Sequence, residues 1–161
     1  MSPLDQPIVR KFIEDAGNTT QALGVGRVIG QIFAYLYFSE EPRGLDDMKE
    51  ALGISKGSAS MGVRQLEQWG AVQRVWVKGD RKDYYTANDY FGQIVRNIAT
   101  DLMGKRLAVL GQSLDAAEAE LREVPPSGNH AFLGSRVARL KDFQGKVNKT
   151  WNNPIVKLML K

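Results

Sequence analysis

The sequence contains no cysteine and a single histidine, His130. Without thiols it can build no disulfide framework, thiolate zinc site, iron–sulfur cluster, cysteine nucleophile or thiol redox sensor. Any Ser–His–acid triad would have to be built on His130, and no partner ligands flank that residue to hold a metal. Long apolar runs are also missing. The longest charge-free stretches, such as Val28 to Ser39, are 12 residues, too short to cross a bilayer. The start, Met1-Ser2-Pro3-Leu4-Asp5, lacks the basic and apolar regions of a signal peptide. These absences lead us to expect a cytoplasmic chain with no cofactor and no membrane partner.

What is present is ordinary in amount and uneven in distribution. The chain has 161 residues, 43% hydrophobic and 25% charged, a composition that suits one folded domain. Its net charge is only +4. Residues 1–53 carry 5 basic and 8 acidic side chains, whereas residues 54–82 carry 6 and 2. Residues 83–126 carry 4 and 7, and residues 127–161 carry 7 and 1. Two basic islands therefore stand in an acidic background. Such an island is either an electrostatic footprint for a polyanion or simply a solvated face.

Periodicity divides the chain into elements. A helix starts near Pro7 with Ile8, Val9, Phe12, Ile13 and Ala16 on one face, and Gly17-Asn18 is expected to end it. Thr19 or Thr20 then caps a second helix, with Ala22, Val25, Ile29, Ile32 and Leu36 at helical spacing. That helix is almost wholly apolar through Tyr37-Phe38 and is expected to be central. Glu40 to Gly44 breaks it. A short helix, Leu45 to Leu52, ends at Gly53, and Ser55 is placed to cap the next, which runs to Trp69 and closes at Gly70. In that helix Ala59, Val63 and Leu66 form the inner face, opposite Gly57, Ser60, Met61, Arg64 and Gln68.

The pattern then changes. Val72 to Val77 is rich in β-branched and aromatic residues, and Tyr84 to Ala87 supplies a second strand. Between them Lys78 to Asp83 makes a charged, glycine-containing turn. A long helix capped by Asp89 follows, with Phe91, Val95, Ile98 and Leu102 in one stripe and Met103, Leu107, Leu110, Leu114, Ala117 and Leu121 in another. The one-residue shift between them implies either a new face or a bend near Gly104. Val124 to Gly128 is a break, and a last helix carries Leu133, Val137, Leu140, Val147 and Trp151 before Asn153-Pro154 and a short tail, Ile155 to Lys161.

Helix, turn, helix and basic hairpin within 45 residues is the layout of a winged helix-turn-helix. Its second helix fits a major groove, and its hairpin rides the neighbouring backbone or minor groove. Ser55, Lys56, Gly57, Ser58 and Ser60 make a small, amide-rich helix start that can approach phosphates closely. Arg64 lies one turn further on the same outward face, within reach of a base edge or a phosphate. Met61 faces outward too, either toward a thymine methyl or beneath a neighbouring loop. Lys78, Arg81 and Lys82 charge the hairpin tip, as wing contacts or as a solvated edge. The partner expected from this set is double-stranded DNA.

The run Leu52 to Ser60, then Leu66-Glu67-Gln68-Trp69-Gly70-Ala71-Val72, then Gly79-Asp80-Arg81-Lys82 with Tyr84-Tyr85, resembles the MarR superfamily of transcriptional regulators. With Gly24 to Gly30 included, it resembles the GbsR/MarR-like branch most closely, over about residues 20–105. The resemblance implies a homodimer that binds an inverted-repeat operator, usually as a repressor. It places Ser55, Lys56, Gly57, Ser60 and Arg64 in the major groove and Asp80-Arg81-Lys82 at the wing. It also implies dimerisation through helices from both chain ends. The stripes over 107–121 and 133–151 agree with that, or else close an intramolecular helical hairpin. The expected fold is thus mainly α with a small β-hairpin wing. It comprises a DNA-binding core, residues 20–105, and a helical dimerisation region, residues 1–19 and 106–161, in one continuous unit.

A small-molecule effector is a further expectation from the resemblance, since some relatives respond to choline or osmotic conditions. Tyr35, Tyr37, Phe38, Trp76, Tyr84 and Tyr85 would be the aromatic cage for a quaternary amine, or else plain core and hairpin packing. The alternative to a DNA-binding regulator is a winged-helix module that holds another protein in a larger complex. An enzyme is not expected. Its only carboxylate group of note, Asp46, Asp47 and Glu50, sits at a helix start with no nucleophile beside it, where acidic residues favour the helix dipole.

Overall fold

The computed structural model describes residues 5–126 and 128–154. The tail 155–161 and the first four residues fall outside them. Six helices and a three-stranded antiparallel sheet follow in the order α1 (Pro7–Ala22), α2 (Arg27–Tyr37), β1 (Arg43–Gly44), α3 (Leu45–Leu52), α4 (Lys56–Gln68), β2 (Val72–Val75), β3 (Tyr84–Ala87), α5 (Phe91–Glu123) and α6 (His130–Trp151). They divide into two compact units, one up to Ile94 and one from Val95.

In the first unit α1 packs on α2, and the contact corrects the expected helix ends. Gly17-Asn18 does not stop α1. A side-chain carbon on Gly17 would meet the Gln31 Cγ at 2.8 Å, so the glycine serves close helix packing. Gly30 answers it from α2, where an added Cβ would lie 2.3 Å from the Ala16 carbonyl oxygen. Thr19 and Thr20 are inside α1, not caps of α2. The Thr20 hydroxyl lies within hydrogen-bond reach of the Ala16, Gly17 and Gly26 carbonyls, fastening the turn between the helices. Ala22 therefore ends α1, and the chain turns at Gly24 and Gly26, both at positive φ. Arg27 adds charged links to Glu14 and Asn18. α1 thus packs directly against the winged core.

α2 is the centre of this unit, in contact with α1, α3, α4 and β3. Ile32, Ala34, Tyr35 and Leu36 are buried with Met48, Ala59, Val63 and Leu66 from α3 and α4. Its end is less covered than the sequence implies, because Tyr37 and Phe38 are exposed. The sheet has the order β1-β3-β2. β1 is two residues long, pairing Arg43 with Tyr85 and Gly44 with Tyr84, and no periodicity predicts a strand that short.

α5 begins in the first unit and continues through Gly104 as one helix. Its first inward residue is Ile94, followed by the half-buried Ile98 and Leu102 of the expected stripe, whereas Phe91 and Val95 are exposed. In the second unit α5 and α6 form an antiparallel hairpin. Lys141 reaches both Asp115 and Glu118 at 2.8 Å, Gln144 donates to the Leu107 carbonyl at 3.2 Å, and His130 donates to the Leu121 carbonyl. Those salt bridges hold the Glu118 carboxyl below its ordinary range and the Lys141 ammonium above it. Leu107 and Leu114 are buried. Leu133 and Leu140 are not. They are exposed beside Phe132 and Phe143, while Val137, Val147 and Trp151 are half-buried. The hairpin forms and still leaves apolar surface in water.

Candidate nucleic-acid interface

Two glycine-ended helices and one serine cap build the recognition element. α3 stops at Gly53, whose φ of 65° is left-handed. Ser55 caps α4 as expected: its hydroxyl accepts the Ser58 amide at 3.0 Å and lies 2.9 Å from the Ser58 hydroxyl. Ala59, Val63 and Leu66 anchor the inner face against the core. The opposite face is open: Lys56, Gly57, Met61 and Arg64 are exposed, Met61 to 74%, and Ser58 and Ser60 are half-buried.

The wing is a short hairpin. β2 and β3 pair from Val72–Ala87 to Val75–Tyr84, and Gly79 turns the tip at a φ of 90°. Asp80 organises that tip, accepting the Lys82 amide at 3.0 Å and the Tyr84 hydroxyl at 2.8 Å. These donors hold its carboxyl below the ordinary range, and donation to Asp80 raises the Tyr84 phenol. Lys78, Arg81 and Lys82 are all exposed on the tip.

Asp46 joins the two parts. One of its carboxylate oxygens lies 2.8 Å from the Lys56 ammonium and the other 3.8 Å from that of Lys82. Lys56 is the first cause of its lowered pKa, and Lys82 adds to it. A cleft of ≈270 Å³ opens here, lined by Asp46, Asp47, Lys56, Arg81, Lys82 and Tyr84 among others. Asp47 accepts the Gly44 amide at 2.7 Å. Sequence reasoning assigned Asp46 only to the start of its helix. No spacing signals the link, since Lys56 and Lys82 lie far along the chain from Asp46, and only the fold makes them neighbours. Arg74 was also unassigned, and it pairs with Glu67 at 3.8 Å and Asp83 at 3.4 Å.

The six aromatic residues expected to form a cage are not gathered in one place. Tyr35 and Tyr85 are core residues, 3% and 4% exposed, and burial raises both phenols. Tyr84 and Trp76 belong to the wing. Tyr37 and Phe38 do share an exposed surface, with ring centroids 5.4 Å apart, and the neighbours that complete it are Phe12, Phe33 and Phe91. Among the described residues, no group of His, Asp or Glu side chains could hold a metal ion. Nor, among those residues, is any helix long and apolar enough to cross a membrane.

No protein-family model matches the chain. Individual relatives do. The HTH-type transcriptional repressor GbsR of Bacillus subtilis (strain 168) is 28% identical over 112 residues, 70% of this chain and 62% of that protein. The HTH-type transcriptional repressor OpcR of the same organism is 28% identical over 91 residues, 56% of this chain and 49% of that protein. The chain thus spans less than two thirds of the length of either relative. A crystal structure of a transcriptional regulator matches in fold, with a TM-score of 0.57 at 21% identity, over 96% of this chain and 100% of that one. In sequence the chain is similar to HTH-type transcriptional regulators, and its fold is that of a winged helix-turn-helix protein.

Proposed function

We propose that this protein is a cytoplasmic, sequence-specific transcriptional regulator that binds double-stranded DNA, most simply as a repressor. The observation that carries the reading is the joined surface around Asp46. It sets the capped start of α4 and the cationic wing tip side by side, with Arg64 and Met61 open on the outward face of the helix. This arrangement suits a helix in the major groove and a hairpin over the adjoining backbone. The names of its relatives as repressors support the same reading.

The regulator acts as a homodimer on an inverted repeat, with half-sites about one helical turn, ~34 Å, apart. The apolar residues left exposed on the α5–α6 hairpin support an interface between copies. A small-molecule effector belongs to the same reading, and Tyr37 and Phe38 on the exposed aromatic surface are the residues to examine first. The role is one of binding, not catalysis. Selection of tight binders from a pool of random duplexes tests the proposal. Enrichment of one inverted-repeat motif is expected, and recovery of unrelated sequences after repeated rounds contradicts it.

A further inference from the structure

Trp76 is the most exposed of the large hydrophobic side chains on the described surface, at 78%. An indole left in water has a large apolar area with nothing to cover it, and Trp is enriched where proteins make contacts. Its surroundings say what kind of contact. The backbone beyond β2 keeps its alternation: Arg74, Trp76 and Lys78 are exposed, and Val75 and Val77 between them are half-buried. Trp76 therefore lies between Arg74, whose charge Glu67 and Asp83 engage, and the exposed Lys78 of the wing tip. Paired strand residues share a face, so Arg74 marks the face that carries Tyr85. That face looks toward α4, because Arg74 pairs with Glu67 and both Arg64 and Glu67 act on Tyr85. Carried past the ladder, which ends at Val75 opposite Tyr84, that alternation sets Trp76 on the same face as Arg74.

We infer that Trp76 is a DNA-binding residue, whose indole packs against the sugars and base edges of the groove that the wing enters. This rests on the proposed DNA-binding role and extends it to an uncharged contact. A partner that matches a π surface beside the cationic tip of Lys78, Arg81 and Lys82 is an anionic polymer with flat apolar faces. Duplex DNA offers both, in its phosphates and in the sugar and base walls of its grooves. The neighbouring Lys78 supplies the charge that a protein-binding tryptophan would not need.

The test uses the full chain, with Trp76→Ala, Trp76→Phe and Lys78→Ala compared with the wild type on a selected duplex at several salt concentrations. Trp76→Ala is expected to weaken binding about tenfold, the scale of one lost aromatic contact to a nucleotide. Because the indole carries no charge, the loss should be the same at every salt concentration. Lys78→Ala should instead lower the salt slope by about one. Trp76→Phe should restore most of the affinity. A second readout is acrylamide quenching of tryptophan fluorescence. Trp69 is buried and Trp151 half-buried, so the readily quenched component belongs to Trp76. DNA should protect that component in the wild type, and Trp76→Phe should lack it. Unchanged DNA affinity in Trp76→Ala, with undiminished quenching in the complex, overturns the inference while leaving the DNA-binding role intact. Loss of self-association in Trp76→Ala at full DNA affinity also overturns it, by assigning the indole to a protein contact. Failure of the wild type to bind any duplex overturns both.

Discussion

Single residues carry two kinds of information here, and they were not equally legible. Ser55, Gly53 and Gly70 act through the backbone beside them, so their roles as cap and terminators read directly from the sequence. Gly17 looks identical as a letter but answers to Gln31 and Arg27 on another helix, a tertiary demand that local pattern does not contain. Its partner Gly30 gives a sharp prediction. Gly30→Ala forces a Cβ against the Ala16 backbone, which no rotamer change relieves, and should cost about 1–3 kcal/mol of stability. A thermal melt checks it, and an unchanged midpoint would show that α1 and α2 do not pack this closely. On the open face, Arg64→Ala should reduce discrimination between the operator and a mismatched site by about tenfold or more. Lys82→Ala should mainly lower the salt slope, by about one. Equal losses on every sequence from both substitutions would remove that division of roles.

At the scale of elements, the recognition helix and the hairpin emerge from sequence because each is built from local signals: an N-cap, alternating apolar residues and a glycine turn. β1 does not, since two residues show no period, and its pairing with β3 comes from the fold. Nor does the coupling through Asp46, which depends on Lys56 and Lys82 converging from separate elements. The wing is held by acidic acceptors whose pKa values are depressed in the folded state. A depressed carboxylate contributes its full stabilisation above its ordinary range and loses it as pH falls through the folded value. The wing attachment should therefore be insensitive to pH near neutrality and weaken only in acid. Asp80→Asn should mimic part of that loss at neutral pH. It is expected to speed amide exchange severalfold at residues 78–83 with little change in the global melt, and wing amides exchanging at the wild-type rate would contradict it.

For the whole molecule, the two basic islands separate into different problems. The first, residues 54–82, coincides with α4 and the wing, where the proposed function uses it. In the second, Lys141 balances Asp115 and Glu118 across the α5–α6 hairpin, so part of that charge has an intramolecular role. The apolar stripe on α6 was visible in the sequence, but its direction was not. Leu133 and Leu140 face water, whereas Val137 and Val147 turn partly inward. If the exposed pair seals a dimer, Leu133→Glu with Leu140→Glu should halve the mass measured by light scattering at unchanged helicity. A dimer that persists would place the interface elsewhere. The central claim, that α4 and the wing form a reading head for a specific duplex, is tested most directly by titrating the protein onto its selected operator and onto random duplex at increasing salt. Affinity for both is expected to fall linearly on logarithmic axes while a preference of at least about 10³ for the operator survives at physiological salt. Equal affinity for the two duplexes under that condition would contradict it.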